Sequence, residues 1–308
     1  MYVLVYGIAY VAILIFLCSV IYRVVDYIKK PMHVRWELYP VAHEGKRAEY
    51  GGSYLEDVDW WKKPRETSKI GELKVMIPEI LLLKAVWENN RSLWYRTYPF
   101  HLGLYLLVAC VFLLIAGSIG GHDTAIGTFL MSVINMIAPA GIILTIIGSI
   151  GLVSMRMSDP QLKKYSTNEH FFNLFFFIVA MAVALITWLT VDRDFLMAKT
   201  FLANLVTFQP SPTGNVLVAL EIILVFLLLA YIPLTHMSHF FMKYFLYHDI
   251  RWGDEPNVNN LKTQAKIGVV LNYPVSWAAS HIDGDGKKTW AEVATFNPAA
   301  EPENNNKE

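Results

Sequence analysis

The residues best suited to chemistry in this sequence are histidines at the ends of long apolar stretches. Residues 215–234 are almost continuously apolar, with Glu221 as the single charged residue, and His236 and His239 follow directly. His101 opens another apolar run, in the stretch YPFHLGLY, where it is predicted to lie in the first helical turn. Imidazoles at the ends of membrane helices are the usual protein ligands of a haem iron, so this pattern predicts a cytochrome.

Five apolar runs are long enough to cross a bilayer as helices. The chain is 55% hydrophobic, and both of its cysteines lie inside apolar runs, which excludes a disulfide framework or an iron–sulfur cluster held by this chain. The predicted fold is an all-α membrane protein, a five-helix transmembrane bundle. Its spans are expected at residues 3–25, 100–119, 129–152, 171–189 and 214–247, with a kink at Pro139 in the third.

Polar segments divide the chain into four parts. Residues 1–30 form the first transmembrane helix, 31–98 a long loop with an amphipathic helix at 72–88, 99–247 the four-helix haem-binding part, and 248–308 a polar tail. A weakly amphipathic segment precedes the fifth span. All but Arg193 and Lys199 of the 26 Lys and Arg residues fall on the side of the loop and the tail. That bias predicts an outside N-terminus and a cytoplasmic C-terminus, in the cytoplasmic (inner) membrane.

This topology places His101 and His239 at the same depth on the cytoplasmic side, where one haem b can lie between them. Two imidazole ligands leave no open coordination position, so such a site passes electrons. His236 is the rival of His239, because three helical residues rotate it by about 60°. His170 heads the fourth span and is an alternative ligand, a quinone-pocket residue, a partner of a haem propionate, or a helix cap. For each histidine the plain alternative is an anchor at the membrane boundary.

Three further residues in the spans have two interpretations each. Glu221 lies about five turns from His239 and is either a proton-path residue or an interfacial carboxylate reached by water. Gly103 and Pro233 fit a helix surface that admits a flat macrocycle, or they reflect close helix packing. The remaining histidines stand in polar segments and are predicted to be solvated: His33, His43, His248 and His281.

Several short motifs occur in an order that is more specific than any one of them. They are YRVVDYIKKP after the first span, FHLG at the start of the second, LVTF before the fifth, AYIPLTHMSH at its end, and LNYPVSWAASHIDGDGKKTWAEVAT in the tail. This order resembles the membrane cytochrome b family of the respiratory nitrate reductase gamma subunit. Within that family it is most similar to the membrane cytochrome b subunits of Dsr- and Tmc-type sulfate-reduction-associated complexes.

In that family two histidines of the second helix and two of the fifth hold two haems b. His101 and His239 match one position on each helix, whereas Val111 and Glu221 stand at the other two. The resemblance therefore implies one haem b near the cytoplasm, with two as the alternative, and a missing outer haem. It also implies a quinone, menaquinone in this group, bound near the single haem. The candidate quinone-site residues are His170, Asn173, Arg96 and Tyr98.

The function that the resemblance implies is electron transfer between the menaquinone/quinol pool and a cytoplasmic iron–sulfur subunit like the catalytic subunit of heterodisulfide reductase. Residues 31–98 and 251–302 are expected to dock that subunit. Further membrane or periplasmic redox subunits and membrane lipid are the other expected partners, and nucleic acid is not one. The alternative is a haem-free membrane anchor for a soluble redox enzyme, which would not need two histidines at equal depth. A transporter is disfavoured because no internal repeat is seen.

Overall fold

The computed structural model describes residues 2–29, 58–59, 62–63, 69–119, 124–242, 261–276 and 285–297. Apart from one isolated β-bridge, the regular structure in these ranges is helical. The helices are α1 (Tyr2–Lys29), α2 (Lys69–Leu81), α3 (Lys84–Asn89), α4 (Arg91–Ile119), α5 (Ala125–Ser158), α6 (Pro160–Lys164), α7 (Asn168–Thr190), α8 (Leu196–Val206), α9 (Val216–Tyr231), α10 (Leu261–Leu271) and α11 (Trp290–Thr295).

Five of these helices, α1, α4, α5, α7 and α9 with the turn that follows it, are long and apolar enough to cross a membrane. The prediction of an all-helical chain with five membrane-length helices is therefore confirmed. Large apolar side chains such as Phe112 and Phe129 are exposed on the outward faces of the helices. That pattern is expected where lipid, not water, surrounds the bundle.

The chain divides into two compact units, Met1–Tyr22 with Lys74–Ser238 and Arg23–Leu73 with His239–Glu308. Three buried clusters hold the first unit together. One joins α1, α8 and α9, a second joins α4, α5, α7 and α9, and a third joins α4, α5 and the start of α8. The predicted amphipathic segment before the fifth span is α8, and it packs into two of these clusters.

The second membrane helix, α4, begins at Arg91, well before the predicted start at Phe100. Asn90 explains the difference, because its side-chain oxygen accepts a hydrogen bond from the backbone N–H of Leu93 at 2.9 Å and so starts the helix. The prediction that His101 lies in the first turn is wrong, since it lies about three turns into α4. The predicted boundary between residues 98 and 99 falls inside this helix.

The predicted amphipathic helix at 72–88 is two helices, α2 and α3. Leu83 separates them with a left-handed backbone conformation, φ 51° and ψ 48°, through which a right-handed helix cannot continue. The indole N–H of Trp94 donates to the carbonyl oxygen of Leu82 at 2.8 Å, which satisfies an acceptor released by the break.

The fifth membrane helix, α9, ends at Tyr231 and does not continue through the histidines as predicted. Pro233 has no backbone N–H, so the helical ladder stops there. Two 3₁₀ turns follow, Ile232–Leu234 and His236–Ser238. The predicted 60° rotation between His236 and His239 on one continuous helix is therefore wrong, and Pro233 acts as a helix breaker.

In the second unit, the described part of the tail contains α10, α11 and a short antiparallel pairing. The backbone N–H of Val275 donates to Lys288 at 2.8 Å, and that of Trp290 donates to Tyr273 at 3.0 Å. Thr289 caps α11. Most of residues 31–68 in the predicted loop at 31–98, together with His33, His43, His248 and His281, lies outside the described residues.

Candidate functional site

His101 is oriented by the preceding turn of its own helix. Its Nδ1 atom lies 2.8 Å from the carbonyl oxygen of Thr97 and 3.2 Å from the Thr97 hydroxyl. A carbonyl oxygen only accepts hydrogen bonds, so Nδ1 carries the ring proton and the lone pair is on Nε2. Metal-binding histidines use this tautomer when a backbone carbonyl holds their other nitrogen. The side chain therefore fits the role of an axial haem ligand.

Glycines fix the helix that carries His101 against α5. A Cβ atom on Gly103 would lie 2.6 Å from the backbone nitrogen of Thr145 and 2.7 Å from the carbonyl oxygen of Gly141. One on Gly148 would lie 2.6 Å from the Cα atom of Phe100. Backbone contact this close requires glycine. Of the two interpretations of Gly103, the structure supports close helix packing.

His170 caps the start of α7. Its Nδ1 atom accepts hydrogen bonds from the backbone N–H of Thr167 at 3.0 Å and from the Thr167 hydroxyl at 2.9 Å. A neutral imidazole has one ring proton, which must then be on Nε2. In this arrangement neither nitrogen offers a lone pair to an iron. Of the roles considered for His170, the contacts favour the helix cap over the alternative haem ligand.

His236 is paired with a carboxylate at the same end of the bundle. Its Nδ1 atom lies 3.3 Å from Oε1 of Glu169, and its ring centroid lies 5.0 Å from that of His170. A carboxylate that accepts from Nδ1 leaves the lone pair on Nε2, as in carboxylate–histidine pairs at metal sites. His236 thus remains a rival ligand. Glu169 and Thr97 were not predicted as site residues from the sequence, although each is close in sequence to a predicted histidine.

Asn173 is a buried amide that is only half satisfied. Its Oδ1 atom accepts a hydrogen bond from the Tyr231 hydroxyl at 2.8 Å, whereas its Nδ2 atom has no partner among the described residues. An unsatisfied buried donor costs about 1–3 kcal/mol. The rings of Phe172 and Phe176 lie 5.6 and 5.8 Å from that of Tyr231. Tyr231 was not selected from the sequence, because its pairing joins residues on two different helices.

The Asn173 amide and His101 lie at the same end of the first unit. Residues 170, 173 and 177 share one face of α7, since they are three and four positions apart. The ring of Phe177 lies 5.0 Å from that of Phe100, the residue before His101. One face of α7 thus runs from the His170 cap past Asn173 to Phe177, whose ring contacts that of the residue before His101.

Arg96 and Tyr98, the other quinone-site candidates, have a hydrogen-bond partner and a ring partner, respectively, in their own helix. Arg96 donates to the carbonyl oxygen of Ser92 at 2.6 Å and to its hydroxyl at 2.7 Å. Tyr98 stacks on Trp94 with ring centroids 4.4 Å apart. Within the part of the chain that the structure describes, no hydrogen bond brings either residue to Asn173 or His170.

Glu221 lies at the opposite end of the bundle, half-buried beside the Thr187 hydroxyl of α7. The distance from His170 to Thr187 along α7 is about 25 Å. Asp192, which lies near Glu221, is buried, and its carboxylate accepts from the backbone N–H groups of Met197 and Ala198, each at 3.0 Å. Glu221 therefore has polar protein neighbours, and its part in a proton path stays a prediction.

His239 belongs to the second unit, where it is exposed. Its pairing with His101 across a haem stays a prediction. In the described ranges, no group of three or more His, Cys, Asp or Glu side chains could hold a metal ion. A bis-histidine haem differs from such a centre, because the porphyrin supplies four of the six ligands and the protein only two.

These observations define an α-helical protein with five membrane-length helices and a polar, histidine-bearing end. The chain matches no protein-family model, no curated protein and no solved structure. The family resemblance of the sequence motifs is therefore an expectation, and the side chains at the His101 end are the basis for a functional proposal.

Proposed function

We propose that this chain is the membrane cytochrome b subunit of a quinone-linked respiratory complex in the cytoplasmic membrane. It passes electrons between the menaquinone/quinol pool and a cytoplasmic iron–sulfur subunit like the catalytic subunit of heterodisulfide reductase. The observation that carries the proposal is the hydrogen bond between His101 Nδ1 and the Thr97 carbonyl, which fixes the ligand tautomer. Five membrane-length helices around that residue support it.

The residues at this end of the bundle have distinct roles in the proposal. His101 binds haem b through Nε2, and the second ligand is His239 or its rival His236. When bound, haem b supplies a one-electron Fe(III)/Fe(II) couple. The Thr97 carbonyl orients His101, and Glu169 can orient His236 in the same way. Close packing of α4 on α5 holds the first ligand in place.

The packing of α4 around Val111, at the end of the bundle away from His101, supports a single haem. Val111, which stands at a ligand position of the family, is exposed on the outer face of α4. The inward face of α4 there, around Cys110 and Leu114, packs against Phe195 at the start of α8. Protein side chains occupy the inward face of α4 at this level, which supports one haem over two.

The positive-inside distribution of Lys and Arg supports a cytoplasmic position for the His101 end and for the second unit. We propose that the second unit docks the iron–sulfur subunit. Deletion of residues 261–308 is expected to abolish co-purification of that subunit while the haem content of the membrane part is retained. Undiminished co-purification would contradict the docking role.

The haem proposal is tested on the purified full-length chain by a pyridine haemochrome assay and a reduced-minus-oxidised spectrum. The wild type is expected to contain about one haem b per chain, which is lost in His101→Ala. Comparison of His236→Ala with His239→Ala identifies the second ligand. His170→Ala is the matched control and is expected to keep the haem, because its ring caps a helix. An unchanged spectrum in His101→Ala would refute the proposed site, and a haem-free wild type would favour the membrane anchor.

A further inference from the structure

The Asn173 side chain has a fixed orientation. The Tyr231 hydroxyl donates to Oδ1 at 2.8 Å, and the Tyr231 ring is flanked by Phe172 and Phe176. A flip of the amide would bring its NH₂ group towards the phenol, whose proton would then need another acceptor. Tyr231 therefore keeps the carbonyl oxygen of Asn173 towards itself and directs the NH₂ group away.

The NH₂ group of Asn173 has no hydrogen-bond acceptor among the described residues. Asn173 is 4% exposed. Buried donors in folded proteins are nearly always paired with protein, ordered water or ligand. Two phenylalanine rings flank the neighbouring Tyr231, so a flat, apolar ligand with a carbonyl oxygen matches this donor.

We propose that Asn173 donates a hydrogen bond through Nδ2 to a ring carbonyl of a bound quinone, and that Tyr231 is the positioning residue for this bond. The inference rests on the proposed function and deepens it by naming Asn173, about one turn before Phe177 on α7, as the residue that binds the quinone carbonyl. Phe177 contacts Phe100, so this position adjoins the His101 segment. The ester carbonyl of a phospholipid has the same acceptor chemistry, and the test separates the two sources.

The probe is 2-heptyl-4-hydroxyquinoline N-oxide, a fluorescent quinol analogue, titrated into the full-length chain in lipid nanodiscs. Asn173→Leu is expected to raise the Kd of the probe about tenfold, which corresponds to the loss of roughly one hydrogen bond. Tyr231→Phe is expected to raise the Kd by a smaller factor. The matched control is Asn204→Leu, which removes an amide bonded to Ser211 in the loop after α8 and is expected to leave the Kd unchanged.

A double variant separates positioning from a general packing effect. If Tyr231 acts through Asn173, Tyr231→Phe has no further effect on the Kd when it is added to Asn173→Leu. Additive effects would overturn the positioning role. A wild-type Kd in Asn173→Leu would overturn the Asn173 bond, and loss of one co-purified phospholipid in that variant would then assign the carbonyl to lipid.

The haemochrome assay on the same samples keeps the two proposals distinct. A wild type with haem and probe binding, but with no effect of Asn173→Leu, overturns only this inference. A wild type without haem and without probe binding refutes the proposed function. Retention of the haem spectrum in each variant shows that a raised Kd does not come from misfolding.

Discussion

Addition of one methyl group at Gly103 is expected to force α4 and α5 apart. The new Cβ would lie 2.6 Å from the backbone nitrogen of Thr145 and 2.7 Å from the carbonyl oxygen of Gly141. Both distances are about 1 Å shorter than an ordinary contact of about 3.5–4.0 Å. Because both atoms belong to the main chain of α5, no change of rotamer relieves the overlap. Overpacking of this kind is expected to lower the free energy of unfolding by about 1–3 kcal/mol.

The comparison for Gly103→Ala is Gly7→Ala, since a Cβ on Gly7 meets nothing within 4 Å. Both changes raise helix propensity by up to about 1 kcal/mol, so their difference isolates the overlap. Gly141→Ala should fall between them, because the nearest atom is Cγ of Leu107 at 3.0 Å. The assay is unfolding of the purified chain in mixed micelles by SDS titration, followed by circular dichroism. A Gly103→Ala variant as stable as Gly7→Ala would refute the reasoning.

Two further predictions concern helix caps. Asp192→Ala leaves two backbone N–H groups at the start of α8 without their acceptor and should lower the free energy of unfolding by about 1–3 kcal/mol in the same assay. The exposed neighbour Asp194→Ala is its control, and equal losses would contradict the capping role. The backbone N–H and the hydroxyl of Thr289 donate to the Glu292 carboxylate and hold the pKa of Glu292 below its ordinary value. The ionised carboxylate therefore stabilises α11 at pH values above the ordinary pKa. This stabilisation is lost as the pH falls through the lowered pKa of the folded state. Hydrogen exchange of residues 290–295 should therefore lose protection at acid pH in the wild type more than in Glu292→Gln, and parallel pH profiles would contradict this.

The membrane-length helices could be predicted from the sequence because apolar composition over about 20 residues decides them. Their ends could not, because single side chains set them. Asn90 starts α4 upstream of the apolar run, and Pro233 ends α9 before the histidines. Leu83 divides one predicted helix into two by a backbone conformation that its residue type does not favour. Single residues thus set the helix ends, whereas the apolar composition set the number of membrane-length helices.

The candidate site contains contacts within one helix, which the sequence can predict, and contacts between helices, which it cannot. His101 could be selected from its position, and its orienting partner Thr97 lies one turn earlier on the same helix. The bond from Tyr231 to Asn173 joins α9 to α7, and no sequence pattern predicts which faces of two apolar helices meet. Asn173 was predicted only as one of four candidate quinone-site residues near the single haem. Only the tertiary structure shows that Tyr231 bonds its carbonyl oxygen and that its NH₂ group has no partner within the described ranges.

The two ends of the bundle differ in how their buried polar groups are hydrogen-bonded. At the end near Glu221, the Asp192 carboxylate is used to cap α8, and α8 packs against α4. At the other end, His101 has the tautomer of a metal ligand, and Asn173 keeps one donor without a partner in the described residues. A ligand is expected to bind where a buried polar group lacks a hydrogen-bond partner in the protein, because the ligand can then supply that partner. The partnerless donor of Asn173 in the described residues therefore supports our proposal that haem and quinone bind at the His101 end.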